Sequence, residues 1–209
     1  MSPKRCFIVG TGPSLKTTVG LDALWKEDTF GLNKLSEWED LPFIPTFYGA
    51  NFTEVMEGYS PKEPKCIRER FLFYNPHDNI QGVDGWTLVA KRLRYDLSDD
   101  EIVGLGDTLP PIPGGGTIPM TAAQLALWMG YREIYLLGVD QSPATTANQL
   151  VGRPDGYPAL TMNFVRWASW EWFREYCEAG GVIVQDCTPG GQLSAGKILE
   201  YRALESLWT

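Results

Sequence analysis

Histidine is almost absent from this chain, which has one, His77, among 209 residues. Zinc sites built from several histidines, and mechanisms that need a pair of them, are therefore excluded. Cysteine is also scarce, and the four that occur (Cys6, Cys66, Cys177 and Cys187) are scattered without a CxxC pair. This spacing is neither a metal-binding nor a disulfide pattern, so we expect free thiols and a reducing, cytoplasmic location.

Basic residues are outnumbered, since 18 Lys and Arg stand against 26 Asp and Glu, for a net charge of −8. Non-specific nucleic-acid binding needs clustered Lys and Arg, so this charge balance disfavours it. A small local basic pocket is still compatible with the composition. Long apolar runs are missing too. Only four consecutive apolar residues, 6–9, stand between Arg5 and Gly10, so we expect neither a signal peptide nor a membrane span.

Short apolar strands alternate with helical segments. Predicted strands cover 5–9, 29–32, 44–48, 71–74, 133–139 and 182–184, and predicted helices start at Ser14 or cover 21–25, 86–95, 120–129, 160–179 and 193–207. Uninterrupted apolar strands separated by helices are typical of a parallel sheet covered on both faces. We therefore predict one doubly wound, mostly parallel, Rossmann-like α/β domain. The Asp-, Gly- and Pro-rich residues 75–116 are predicted to form a small irregular lid within it, or a plain connector.

The segment Gly10-Thr-Gly-Pro-Ser14 directly follows the first predicted strand and opens a helix. Glycines there let the backbone approach a ligand closely, and the N–H groups of a helix start favour an anion, so a phosphate site is predicted. The segment is not GxGxxG, because Leu15 stands at the last position, and no Gly-Lys-Ser/Thr makes it a Walker A loop. The alternative is a tight turn in which Ser14 caps the helix.

Polar residues follow the other predicted strands. Asn33 stands where a dinucleotide-binding domain has an acidic residue for the ribose, which disfavours NAD but suits a base edge or a sugar. Asn51 and Asp140 each end a strand, where open α/β sheets bind ligands. Gly116 and Thr117 precede a helix, a second place to receive phosphate. Asn51 and Asp140 also have plain structural interpretations, Asn51 as a turn residue and Asp140 as a cap of the next turn.

Four segments together resemble a known superfamily. They are Ile8-Val-Gly-Thr-Gly-Pro-Ser-Leu-Lys16, Asp28-Thr-Phe-Gly-Leu-Asn33, Thr46-Phe-Tyr48 and Gly130-Tyr-Arg-Glu-Ile-Tyr-Leu-Leu-Gly-Val-Asp140. This set is similar to the bacterial sialyltransferases of the Campylobacter lipooligosaccharide type and to their relatives, the 6-hydroxymethylpterin diphosphokinase-like proteins, including phage members. The resemblance runs over most of the chain. It implies a glycosyltransferase-like sheet that binds a cytidine monophosphate-sugar with no obligatory metal.

The resemblance also implies roles for individual residues. Along the phosphate, ribose or base of the nucleotide it places Gly10, Thr11, Gly12, Ser14, Asn33, Asn51 and Thr117. Pro13 and Gly116, which lie in the same two loops, complete the predicted binding residues. Two features of the family are missing. Its histidine base has no counterpart in 155–163, and the tyrosines expected after Asp140 are absent from 141–149.

We therefore predict a glycosyltransferase that moves a sugar from a nucleotide donor (a CMP-sugar or another) to an acceptor hydroxyl. Its candidate catalytic groups are Asp155, Tyr157 and Asp140, whereas His77 is predicted to be a loop residue. The first alternative is diphosphate transfer from ATP to a pterin-like alcohol, in which Asp140 would hold Mg²⁺. The acidic run 99–101 is a weaker ligand set for that ion.

Two other functions stay open. The chain could be a non-catalytic nucleotide-binding protein, or a phage-type enzyme with nucleic acid as its acceptor, which the acidic charge disfavours. The helix 160–179 carries aromatic residues on more than one face. Because exposed aromatic patches commonly mark interfaces, this helix predicts a homo-oligomer.

Overall fold

Eight strands form one sheet in the computed structural model, which describes residues 4–51, 65–74, 84–90, 117–141 and 161–208. The strands are β1 (Arg5–Val9), β2 (Asp28–Leu32), β3 (Phe47–Asn51), β4 (Glu69–Tyr74), β5 (Thr87–Ala90), β6 (Glu133–Leu137), β7 (Ile183–Asp186) and β8 (Glu200–Tyr201). Every neighbouring pair is parallel.

The strand order is β5-β4-β3-β2-β1-β6-β7-β8, so the chain builds outward from the centre in both directions. The two halves meet between β1 and β6, where Val9 is paired with Leu137. At such a switch point the connections leave the carboxyl ends of two adjacent strands in opposite directions, which opens a crevice. The predicted doubly wound, Rossmann-like sheet is confirmed.

Helices cover the sheet unequally. In the described residues the α-helices are α1 (Ile118–Trp128), α2 (Thr161–Ala179) and α3 (Gln192–Ala195), and short 3-10 helices cover Pro13–Thr17, Leu21–Lys26, Asn33–Glu37 and Leu204–Leu207. Because strand side chains alternate, Cys6 and Ile8 of β1 pack in a core with residues of α1 and α2. Phe7 and Val9 pack on the other face with residues of the 3-10 helices.

Two predicted helices are wrong. Within 86–95, residues Thr87–Ala90 form the edge strand β5, in which Thr87 and Leu88 are exposed and Val89 is buried. The predicted last helix, 193–207, is instead α3, β8 and a 3-10 helix. Gly196 and Lys197 end α3, and Lys197 has a left-handed φ of 57° that no helix can continue through.

Strand β3 lies three residues beyond its predicted start and end. Pro45 falls within the predicted 44–48, and a proline cannot donate to a ladder. Its ring instead packs against Gly31, where a Cβ would come within 2.5 Å of it. Residues 84–90 are the described part of the predicted lid, and they add β5 to the main sheet. The rest of that segment lies outside the described residues.

The aromatic residues of α2 that the structure describes mostly face the sheet. Trp170 and Phe173 are completely buried and pack edge to face, with ring centroids 6.0 Å apart. Trp172 packs partly against the same core and stacks on Tyr176, which is 45% exposed. An interface between copies through this helix stays a prediction.

The four cysteines are free thiols, as predicted, with Cys6, Cys177 and Cys187 buried. Burial raises the pKa of Cys177 and of Cys187 to about 12, which makes both thiols inert at neutral pH. Among the described helices, none is long and apolar enough to cross a membrane.

Candidate functional site

Most of the residues predicted to bind a ligand lie at the carboxyl edge of the sheet. Residues 10–14 follow β1, Asn33 follows β2, Asn51 is the last residue of β3, and Asp140 follows β6. Thr117 is the N-cap of α1, which leads by a short turn into the start of β6. Since α1 packs on β1 to β3 and runs opposite to them, Thr117 lies at the same edge.

The loops after β1 and β6 are locked together by their backbones. Gly10 N–H donates to the Leu137 carbonyl and Gly12 N–H to the Gly138 carbonyl, both at 2.8 Å. A Cβ at Gly10 would lie 2.5 Å from the Gly138 oxygen, and one at Gly12 would lie 1.5 Å from Asp140 Oδ2. Both glycines are therefore required by the contact between the two loops, whatever ligand binds there.

A side-chain hydrogen bond completes this contact. Ser14 Oγ donates to Asp140 Oδ2 over 2.8 Å, and Ser14 is buried. The alternative interpretation of Ser14 as a helix cap is wrong, because the N-cap of the 3-10 helix is Gly12 and has no side-chain cap. The serine hydroxyl instead fixes the carboxylate at the switch point.

The same contacts use most of the donors that were expected to bind phosphate. Besides Gly10 and Gly12, Leu15 N–H donates to the Gly12 carbonyl and the Ser14 backbone N–H is directed to the Asp140 carboxylate. Thr11 is the member of the loop whose N–H and hydroxyl have no partner among the described residues. The following helix is a 3-10 helix of five residues. Fewer backbone N–H groups of this loop are therefore free to bind an anion than its glycine-rich sequence predicts.

Burial raises the pKa of the Asp140 carboxyl group. Hydrogen bonds from the Ser14 side chain and backbone, and from the Asp140 backbone, oppose this effect but do not cancel it. A carboxyl group whose pKa moves toward neutrality at the ligand edge of an α/β sheet is suited to accept a proton from a substrate.

The raised pKa leads to a prediction about stability. The folded protein binds the Asp140 proton more tightly than the unfolded chain does, so this group's contribution is fully present below its unfolded pKa and is lost as the pH rises through its folded pKa. Asp140→Asn removes this titration. We expect the free energy of unfolding of the variant, relative to the parent, to increase from about pH 4 to pH 7.

Urea denaturation of both proteins across this range measures the difference. Burial also raises the pKa of Asp186, but that group titrates in both proteins and cancels. A difference that stays constant or decreases with pH contradicts the assigned direction of the Asp140 shift.

The loop that follows β7 forms hydrogen bonds with residues 139 and 140. Asp186, at the end of β7, is completely buried and accepts hydrogen bonds from the backbone N–H groups of Thr188 at 2.9 Å and Ser194 at 3.2 Å. The Thr188 hydroxyl in turn accepts from Val139 N–H, and Gln192 N–H donates to the Asp140 carbonyl. Sequence reasoning missed Asp186, because its role depends on contacts that only the fold creates.

Three side-chain oxygens at the carboxyl edge are buried without a hydrogen-bond partner in the described part of the chain: Asn33 Oδ1, Thr117 Oγ1 and Gln141 Oε1. Asn33 and Gln141 also have a left-handed backbone, each with φ of 49°. Buried oxygens without donors and strained backbones both cost free energy, and strained backbones cluster at functional sites. Gln141 was not among the residues predicted from the sequence to bind a ligand.

The remaining candidates lie outside the described residues. These are Asp155, Tyr157, Gly116, His77 and the acidic run 99–101. Asp140 is thus the one predicted catalytic group whose surroundings are known. Within 4–51, 65–74, 84–90, 117–141 and 161–208, no three His, Cys, Asp or Glu residues are grouped so that they could hold a metal ion.

No protein-family model and no curated protein sequence matches this chain. Its fold does match solved structures. The sialyltransferase CstII from Campylobacter jejuni, in complex with the substrate analogue CMP-3FNeuAc, aligns with a TM-score of 0.57 and 14% identity over 96% of this chain and 87% of that one. The monofunctional alpha-2,3-sialyltransferase Cst-I from the same organism gives 0.58 and 14% over 95% and 80%.

A third match is the MAf glycosyltransferase from Magnetospirillum magneticum AMB-1, with a TM-score of 0.55 and 20% identity. The alignment covers 90% of this chain but 32% of that protein. Identities this low show a common architecture. The chain therefore has the Rossmann-type, glycosyltransferase-like fold of the Campylobacter sialyltransferases.

Proposed function

We propose that this protein is a glycosyltransferase that binds a nucleotide-activated sugar in the crevice between the carboxyl ends of β1 and β6. The observation that carries the proposal is a group of polar side chains at the carboxyl edge of the sheet, in and beside this crevice. They are the Asp140 carboxylate and the buried oxygens of Asn33 and Thr117, which have no partner among the described residues. The shared fold supports it, because structures of CstII contain CMP-3FNeuAc or CMP, and one also contains a trisaccharide acceptor.

The polar groups without a partner in the described residues fall into hydrogen-bond acceptors and one residue that supplies donors. Asn33 Oδ1 and Thr117 Oγ1 can each accept a hydrogen bond, which suits the hydroxyl and amino groups of a nucleoside. Thr11, with its N–H and hydroxyl, is the donor on the β1 loop that suits a phosphate oxygen. Asn51 at the end of β3 extends the same edge and stays a proposed nucleoside contact.

Asp140 is the proposed general base. In the transfer, the acceptor hydroxyl oxygen attacks the anomeric carbon, the bond from that carbon to the phosphate oxygen breaks, and the hydroxyl proton moves to the carboxylate. The nucleotide leaves with the bonding electron pair. Because Ser14 holds Oδ2, the carboxylate is fixed in position, and its raised pKa brings its basicity closer to the task.

Asp155 and Tyr157 stay proposed as additional catalytic groups. The segment that carries them joins Gln141, at the site, to the start of α2. No metal is obligatory under this proposal. Mg²⁺ belongs to the competing proposal of diphosphate transfer from ATP, and homo-oligomer formation is an expectation independent of both.

Turnover of sugar nucleotides tests the proposal. The parent is assayed for nucleotide release and for transfer with CMP-, UDP- and GDP-linked sugars, each in EDTA and in Mg²⁺, beside ATP with a pterin alcohol. We expect turnover of a sugar nucleotide in EDTA. Activity with ATP alone, and only in Mg²⁺, supports the diphosphotransferase instead, and no turnover of any donor contradicts both.

The variant Asp155→Asn tests the second proposed base in the same assay. If Asp155 moves the acceptor's proton, its loss lowers the rate by about 10²- to 10⁴-fold. Asp22→Asn is the matched control, because Asp22 is exposed on the 3-10 helix Leu21–Lys26 and is expected to leave the rate unchanged. Full activity of Asp155→Asn removes Asp155 from the mechanism.

A further inference from the structure

Gln141 combines two unfavourable features in one residue. Its φ of 49° lies in the left-handed region, which a glutamine rarely adopts. Its side-chain Oε1 is buried and has no hydrogen-bond partner within the described residues. A glycine or an asparagine would tolerate this backbone conformation better than a glutamine does.

The described residues with a strained backbone differ in whether they also have a buried, unpaired oxygen. Among described non-glycine residues, the ones with positive φ are Asn33, Gln141 and Lys197. Lys197 is exposed in the turn after α3, where its side chain is solvated. Asn33 and Gln141 instead follow β2 and β6, the two strands on either side of β1, and each has a buried, unpaired oxygen. Among the described residues, strain and an unpaired oxygen thus occur together only at the carboxyl ends of β2 and β6, the two strands that flank β1.

The strain at Gln141 is held by its neighbours. Asp140, the residue before it, is fixed through its side chain by Ser14 and through its carbonyl by Gln192 N–H at 3.0 Å. The preceding Gly138 is also left-handed, with Leu15 packed 2.6 Å from where a Cβ would be. The fold therefore over-determines the position of Gln141, which is how a strained backbone persists at a functional site.

We infer that Gln141 is a ligand-binding residue whose side-chain oxygen accepts a hydrogen bond from a hydroxyl or amino group of the nucleotide-sugar. An amide oxygen accepts and cannot donate, so it does not pair with phosphate oxygens. The inference rests on the proposed function for the identity of the ligand. Asn33 and Gln141 are separated by β1, about two strand spacings or 10 Å, so they contact different parts of that ligand.

The test uses Gln141→Met, which keeps the length of the side chain and removes its polar atoms. Affinities of the parent and the variant are measured by calorimetry for the pairs CMP and CMP-3FNeuAc, UDP and UDP-glucose, and GDP and GDP-mannose. Loss of one neutral hydrogen bond predicts about five- to tenfold weaker binding of the ligand that supplies the donor. Equal weakening of nucleotide and sugar nucleotide assigns the donor to the nucleoside. Weakening of the sugar nucleotide alone assigns it to the sugar.

Melting temperatures without ligand separate a binding role from a structural one. Because the unpaired oxygen stabilises nothing in the free protein, Gln141→Met is expected to melt at the parent's temperature or up to about 4 °C above it. Gln141→Gly relieves the strain and is expected to bind at least as weakly as Gln141→Met. Lys197→Gly is its matched control, since it relieves a similar backbone away from the crevice and leaves affinity unchanged.

Unchanged affinity of both Gln141 variants for a nucleotide that the parent binds overturns the inference and leaves the proposed function intact. A Gln141→Met protein that melts well below the parent, with unchanged affinity, overturns it in the same way and makes Gln141 structural. If the parent binds none of the six probes, the proposed function fails and the inference fails with it.

Discussion

Gly12→Ala is expected to lower the free energy of unfolding by about 3 kcal/mol or more. The added Cβ would lie 1.5 Å from Asp140 Oδ2 and 2.6 Å from the Gly138 carbonyl oxygen. The carboxylate can rotate away, but only by giving up its hydrogen bond from Ser14, and the carbonyl belongs to a backbone that three loops hold. Overpacking and a lost charge-assisted hydrogen bond therefore add together.

Urea denaturation at pH 7 measures this effect, with Gly180→Ala as the matched control. A Cβ at Gly180 would find no atom nearer than 3.5 Å, an ordinary contact, so its variant is expected to stay within about 0.5 kcal/mol of the parent. Equal stability of the Gly12 variant and the parent contradicts the interlocked loops. A bulky residue at Gly12 consequently disrupts the contact between the two loops as well as the close approach of a ligand to the backbone. Such a variant therefore does not test ligand binding alone.

Asp140→Asn is expected to reduce kcat/KM for sugar transfer by about 10²- to 10⁴-fold, the range that a lost general base covers. An asparagine has nearly the same shape, and its side-chain oxygen can still accept from Ser14, so the loops stay in place. The loss should therefore fall on the chemical step and leave nucleotide affinity within a few-fold of the parent. The acid limb of the pH–rate profile should disappear with the carboxylate.

The control is again Asp22→Asn, which removes one negative charge from an exposed position. A variant at Asp140 that retains activity within twofold of the parent contradicts the assignment of the base. A variant that loses activity only because it has unfolded is recognised by its melting curve.

The sequence was sufficient for the centre of the sheet and insufficient for its edges. Strand β1 begins and ends as predicted, at Arg5–Val9, because a run of apolar residues buried on both faces has few other structures open to it. At the edges, β5 and β8 are short and partly exposed, and their residues follow no strong periodicity. Their pairing with β4 and β7 is a tertiary contact that overrides local preference.

Site residues that directly follow a strand could be predicted from the sequence. Contacts between residues far apart in the sequence could not. Asp140 and Asn33 were identified because ligands bind beyond the carboxyl ends of parallel strands. The partner of Ser14 was not, because Asp140 is 126 residues away in the sequence. The left-handed backbone of Gln141 was not predictable either, since it arises from contacts of its neighbours rather than from its own preference.

Hydrogen–deuterium exchange with and without a bound nucleotide shows whether the nucleotide lies at the carboxyl edge of the sheet. With CMP, or whichever nucleotide of the panel binds, we expect slower exchange in the peptides that contain Thr11, Asn33, Thr117 and Gln141, at the carboxyl edge. Peptides at the opposite edge, around the Asp28 carboxylate that accepts from the Tyr131 hydroxyl, should exchange unchanged. Protection at that opposite edge, with none around Thr11 and Gln141, would mean that the nucleotide does not bind in the crevice between β1 and β6.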